Sequence, residues 1–225
     1  MHIVFDWDGT IVSKKVSNEA ALRICRTIGL KVTRSWMYTA QKTFAHYPVT
    51  KKAIQAYTGI SDNIMQTKFM TMLFAFHYMA VTNELREKSV HKNFFHVLRR
   101  IKKKFPGIKF SIATALTQDI IENSLKVLRV RKLFHKVYAD TPDLRFSKKQ
   151  LLEKALTECK EVHIMVGDRS EDIQAGKHVG AKTIATSWGQ HDHKILGADY
   201  VIHKPDELIK IVEELGKPLK KVCRN

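Results

Sequence analysis

An α/β fold, with a doubly wound (Rossmann-like) parallel sheet and an inserted all-α domain, is the class this sequence predicts. Three observations predict it. Short apolar runs alternate with helical patterns, each run ends on a polar or glycine-bearing turn, and one block of about 75 residues shows helical periodicity alone. In order along the chain, His2-Ile-Val-Phe5 is the first run and leads straight into Asp6-Trp-Asp-Gly-Thr10. Residues 13–89 then carry Ala20, Leu22, Ile24 and Ile28, followed by Ile64, Phe69, Met72, Leu73, Phe76 and Met79, at helical spacing. Breaks fall near Gly29, at His46-Tyr47-Pro48 and from Gly59 to Asp62. Residues 13–89 are therefore expected to form a second, all-α domain, with 1–12 and 90–225 forming the core. The Met and Phe stripe from Phe69 to Met79 is expected to be the interior of that helical domain. Beyond it, Val97, Leu98, Ile101 and Phe105 interleave with Arg99, Arg100, Lys102, Lys103 and Lys104, which reads as an amphipathic helix with a basic, solvated face. The remaining runs are Lys109–Ala113 into Thr114-Ala115, a weaker Lys136–Tyr138, Val162–Val166 into Gly167-Asp168, Lys182–Thr186 and Asp199–Ile202. The basic end, Lys217 to Asn225, is expected to fray.

Composition narrows the function. The chain has 225 residues and a formal net charge of +17, with 44% hydrophobic residues, which is too apolar for a disordered chain. No apolar run reaches the roughly 18 residues that span a membrane, and no membrane partner is expected. The first strand is expected to start at His2, so no leader peptide is expected, and Cys25, Cys159 and Cys223 form no CxxC pair. A reducing, cytoplasmic setting is the expectation, with the protein a monomer or homodimer. The positive charge suits either anionic substrates or nucleic acid. There is no RGG tract, zinc-finger spacing or aromatic RNP-type strand, so nucleic acid is the second of these readings.

In a parallel sheet the ligand crevice lies beyond the carboxyl ends of the strands. Here those ends carry Asp6, Asp8, Thr114 and Asp168. Asp6 and Asp8, at i and i+2, share one side of the backbone, and Gly9 permits the turn that follows. Asp172 stands one helical turn after Asp168 and shares its side. Carboxylates that converge repel one another, and an all-oxygen set points to a hard cation, Mg²⁺ rather than zinc. An Asp-rich turn or a helix-capping acid would explain either motif separately; their pairing at corresponding strand ends is what points to chemistry. His191 and His193, at i and i+2 without a third ligand, read as surface residues.

These motifs resemble the haloacid dehalogenase superfamily, and within it the phosphoglycolate-phosphatase-like branch with an inserted helical C1-type cap. Phe5-Asp6-Trp-Asp8-Gly-Thr10 is similar to the first motif of that family, Ser111-Ile-Ala-Thr114 to the second, and Val166-Gly-Asp168-Arg-Ser-Glu-Asp172 to the fourth. Gly176 to Gly180, Thr186-Ser-Trp-Gly189 and Gly197 to Ile202 continue the pattern. The third motif, a lysine, falls to Lys148 or Lys149; the Lys-Pro-x-Pro form is absent, Ser147 can cap the helix beside Lys148, and Arg145 is a third candidate. The resemblance implies Asp6 as nucleophile and Asp8 as general acid and base. It implies Thr114, the backbone N–H of Ala115 and the lysine as phosphate-binding groups. It implies Mg²⁺ held by Asp6, the Asp8 backbone carbonyl and Asp168, with Asp172 in support.

The acid at Asp8 matters, because a leaving alkoxide needs a proton and a leaving halide does not. The expectation is a Mg²⁺-dependent phosphatase that hydrolyses a small phosphate monoester (phosphoglycolate-like, or a sugar or nucleotide phosphate) through an aspartyl-phosphate. The alternatives are a phosphomutase on the same core, or a basic nucleic-acid-binding protein on this scaffold. The loop His46-Tyr-Pro-Val-Thr50 falls where the branch reads its substrate, which offers His46, Lys51 and Lys52 to an anionic tail; a plain interhelical turn is the other reading.

Overall fold

The computed structural model describes residues 1–33, 35, 46–141, 146–189 and 197–221, with backbone only at 46–51 and 217–221. The expectations for Arg145, His191, His193 and Cys223, and for the side chains of His46 and Lys51, lie outside the described residues. In chain order the elements are β1 (His2–Phe5), α1 (Lys15–Thr27), α2 (His46–Thr58), α3 (Asn63–Leu85), α4 (Phe94–Lys104), β2 (Lys109–Thr117), α5 (Gln118–Val127), β3 (Lys136–Asp140), α6 (Lys148–Cys159), β4 (Ile164–Gly167), α7 (Ser170–His178), β5 (Lys182–Thr186), β6 (Tyr200–Ile202) and α8 (Glu207–Lys221). Short 3-10 turns lie at Arg86–Ser89 and Arg131–Leu133. No helix among the described residues is long and apolar enough to cross a membrane.

The chain divides into two compact units, one of Met1–Ser13 with Glu87–Asn225 and one of Lys14–Arg86. The first holds a six-stranded sheet in the order β3-β2-β1-β4-β5-β6, parallel throughout. Its strands are apolar on both faces because helices cover both: Ile3, Val4 and Phe5 are fully buried, as are Ile112, Ala113, Ile164, Met165 and Val166. Phe5 meets Phe94 and Phe110 edge-on at 5.7 and 5.8 Å, which fastens α4 and β2 to the central strand. On the sheet's flanks α4 packs with α8, and α6 packs with α7. From β1 the chain moves to β2 and β3 on one side and then crosses to β4 on the other. The junction of β1 with β4 is therefore a topological switch point, where a crevice opens beyond the strand ends.

The second unit is helical in its described residues. Ile24, Ile28 and Ile54 gather Phe69, Met70, Leu73 and Phe74 around them. Arg23 donates two hydrogen bonds to the Glu84 carboxylate, at 2.7 and 2.6 Å, and so clasps α1 to α3. Two expectations need correction here. The Met and Phe stripe is only partly interior: Phe69 and Leu73 pack onto that cluster and Tyr78 is fully buried, while Met72 and Phe76 are 60% and 64% exposed. The segment His46 to Thr50 is not a loop but the start of α2, because Pro48 lacks only an N–H that a first helical turn leaves unused. Lys52 is exposed on that helix.

Candidate active site

The carboxylates are placed by the strands that precede them. Asp6 N–H donates to the Val166 carbonyl at 2.9 Å, which extends the β1–β4 ladder by one residue and brings the Asp6 side chain beside the end of β4. The chain then turns back sharply. The Trp7 carbonyl accepts from Ile11 and Val12 N–H, both at 2.9 Å, while Gly9 N–H donates to the Val12 carbonyl at 2.7 Å. Gly9 needs its glycine twice over, for its φ of +91° and because a Cβ would collide with the Asp168 carboxylate. Asp8, in this turn, is half-buried and forms a β-bridge to Val12.

Asp168 follows β4, and Asp172 sits in the first turn of α7, where its Oδ2 accepts the Arg169 N–H at 3.0 Å. Both acids are fully buried. Gly167 lies against Asp172 and Gly189 against Asp168, so a Cβ at either position would strike the carboxylate side chain. These close approaches leave the acids little freedom to move.

The structure brings Lys148, not Lys149, to this cluster. Ser147 caps α6 through a reciprocal box with Gln150, accepting its N–H at 3.3 Å and donating its own N–H to Gln150 Oε1 at 2.8 Å. The capped first turn aims Lys148 inward. Its Nζ lies 2.6 Å from Asp6 Oδ1, 2.9 Å from Asp172 Oδ1 and 2.7 Å from the Ala113 carbonyl. Lys149 is exposed, 3.9 Å from Glu153. Thr114 is buried and its Oγ accepts the Leu116 N–H at 3.2 Å. Strand β2 continues past it to Thr117 through a register shift, and Ala115 is exposed there.

Oxygens of Asp6, Asp168 and Asp172 lie within 4.8 Å of one another, and all three acids are buried. Burial pushes the Asp172 carboxyl up to about 7; the Lys148 charge opposes this, while Asp6 and Asp168 reinforce it. Burial alone would lower Lys148, but Asp172 and Asp6 outweigh it and hold the ammonium above its ordinary value. Among the described residues, three acids gather here around the Lys148 ammonium. An all-oxygen donor set within that span fits a hard divalent cation, and among the described residues it offers a softer metal no nitrogen or sulfur.

Sequence reasoning assigned no site role to three further groups. The Ala113 carbonyl holds the Lys148 ammonium, and Asp140, buried at the end of β3, accepts the Phe146 N–H at 2.8 Å just ahead of α6. Trp188 donates its indole N–H to the Thr10 carbonyl at 3.1 Å and packs against His91, with ring centres 5.5 Å apart. That tie joins the turn after β5 to the turn after β1. The signal for it is the Thr-Ser-Trp-Gly sequence directly following an apolar strand.

The family model for haloacid dehalogenase-like hydrolase matches residues 3–186. A phosphoglycolate phosphatase from Aquifex aeolicus is 24% identical over 221 residues, which is 94% of this chain and 96% of that protein. A pyrophosphatase PpaX from Anoxybacillus flavithermus is 31% identical over 114 residues, so the match spans 47% of this chain and only 53% of that relative. In structure, a haloacid dehalogenase-like family hydrolase from Streptococcus pneumoniae superposes with a TM-score of 0.70 at 18% identity, over 93% of this chain and 97% of its own, which is a likeness of fold.

Proposed function

The chain belongs to the haloacid dehalogenase-like hydrolase family and is a hydrolase of the phosphatase kind; from that premise we propose that it is a Mg²⁺-dependent phosphatase acting on a small phosphate monoester through a phosphorylated Asp6. The observation that carries this reading is the convergence of Asp6, Asp168, Asp172 and Lys148 beyond the ends of β1 and β4.

Asp6 acts as nucleophile: a carboxylate oxygen forms a bond to phosphorus in line with the departing alkoxide, and the P–O bond to the alcohol breaks. Asp8 gives its proton to that alkoxide, then takes a proton from the water that attacks the phosphoryl-aspartate. The second step breaks the bond between phosphorus and the Asp6 oxygen, releases orthophosphate and returns both acids to their starting states. Thr114 and the Ala115 N–H bind the phosphoryl oxygens, and Lys148 stays protonated throughout, offsetting their charge. Asp6, Asp168 and the Asp8 carbonyl, with Asp172 in support, would hold Mg²⁺, which would supply the neutralisation that lets an anionic nucleophile approach an anionic phosphate.

The names of the relatives put phosphoglycolate and pyrophosphate first among substrates to try. Phosphate release from p-nitrophenyl phosphate and then from a phosphometabolite panel, with and without Mg²⁺, is the test. Turnover that requires Mg²⁺ and disappears in Asp6→Asn is expected. Turnover in Asp6→Asn equal to wild type, or none in wild type on any substrate, overturns the proposal.

A further inference from the structure

Residues 88–118 hold eight Lys or Arg and no Asp or Glu. The fold settles how these charges are spent. On one side of α4, Arg100 pairs with Asp206 at 3.5 Å and Lys104 with Glu213 at 2.7 Å, so the α8 segment neutralises that row. On the other side Phe95 meets Phe134 edge-on at 6.4 Å, which brings the turn Arg131–Leu133 against the helix. Arg99 and Lys103 lie between these borders, and they have no ion pair among the described residues; nor do Lys102, Lys92 just ahead of the helix or Lys132 in the neighbouring turn. All of them are exposed except Lys102, which is half-exposed. Arg131 in that turn is already engaged by Glu122 at 2.8 Å. A solvated helix face ordinarily mixes signs, because like charges one turn apart repel. Arg99 and Lys103 stand one turn apart with no acid on the helix to offset them.

We propose that this flank of α4 with Lys132 is a docking surface for the phosphate backbone of nucleic acid. A row of unpaired cations matches a row of phosphates and carries no requirement for base sequence. An anionic membrane surface offers similar charge, but the apolar residues of α4 are engaged within the fold: Phe94, Val97, Leu98 and Ile101 are each at most 1% exposed, and the half-buried Phe95 packs on Phe134. The surface uses none of the residues assigned to phosphate chemistry, so the two proposals stand or fall separately.

The test is fluorescence anisotropy of the full chain with a labelled DNA duplex of about 20 base pairs, titrated from about 50 to 200 mM salt. Wild type is expected to bind with a micromolar-range dissociation constant and a log–log salt slope of about −3 to −4, set by roughly four phosphate contacts. R99Q/K103Q should weaken binding at least about tenfold and make the slope shallower by about two, with an unchanged melting temperature. The control K154Q/K160Q removes two exposed lysines from α6 and its C-terminal end, for the same change in net charge, and should bind as wild type does. Asp6→Asn should bind the duplex as wild type does while losing phosphatase activity. Equal weakening in K154Q/K160Q would assign the binding to net charge alone and overturn the proposal. No saturable binding, or phosphatidylserine vesicles that bind as tightly and lose affinity equally in R99Q/K103Q, would overturn it too.

Discussion

The two ends of the parallel sheet both bury polar side chains, and they resolve that burial in opposite ways. At the amino end, His2 is fully enclosed, yet its Nδ1 donates to the Glu161 carbonyl at 2.8 Å and its Nε2 accepts from Ser111 Oγ at 2.8 Å. Both ring nitrogens have a neutral partner, and burial is the main reason the imidazole titrates below its ordinary 6.5. At the carboxyl end, three buried acids crowd within 4.8 Å of one another around the Lys148 ammonium among the described residues. The first arrangement is complete by itself and stabilises the fold. The second is costly until something positive arrives, which is the condition of a site built for a cation and a phosphoryl group.

Substitutions can break this contrast, and the largest effect belongs at the carboxyl end. Asp6→Asn should lower kcat by at least about a thousandfold, as loss of a nucleophile does. Because it removes one of the repelling charges, the melting temperature of the metal-free protein should hold or rise. A steady-state assay beside a thermal melt reads both, and lost activity accompanied by lost stability would contradict the contrast. Lys148→Met should act differently, lowering kcat by about a hundredfold and also costing about 3–5 kcal/mol, since the buried acids lose their cation. Denaturant unfolding measures the second quantity.

Ser111→Ala takes the donor away from His2 Nε2 and leaves a buried acceptor unmet. It should cost about 1–3 kcal/mol in unfolding free energy with kcat unchanged. The smallest effect is the pH dependence that His2 confers. Its folded pKa lies below the unfolded value, so the unfolded chain takes up protons first. Its contribution to stability is whole above about pH 6.5 and declines below it, by at most about 1.4 kcal/mol per pH unit. His2→Gln should flatten the unfolding free energy between about pH 5 and 6.5, and an unflattened profile would place that dependence on other groups.

The same contrast explains what sequence alone reveals. Asp6 and Asp168 are legible because a strand buried on both faces reads as an unbroken apolar run, so its end is visible and the acid at that end stands out. The choice of Lys148 over Lys149 is legible in Ser147, whose capping sets the helix start and thereby which lysine faces inward. Partnerships between distant residues are not legible: His2 and Ser111 stand 109 residues apart, and nothing local marks either for the other. Gly189 is of the same kind, since its lack of a Cβ matters only once Asp168 is in place beside it. The helix start at His46 and the outward turn of Met72 and Phe76 are missed for a related reason. Proline suits a break and a first turn equally, and apolar residues at helical spacing do not disclose which side of a helix has a partner.

The most direct measurement follows the phosphoryl group itself. Turnover of a phosphate monoester by Asp8→Asn, in which the hydrolytic half of the reaction is slowed, would be stopped in acid and the peptides examined by mass spectrometry. One phosphoryl group on the peptide containing Asp6, absent from an Asp6→Asn/Asp8→Asn control, is the predicted result. Hydrolysis that proceeds with no phosphorylated peptide, or with the group on another residue, would contradict the account.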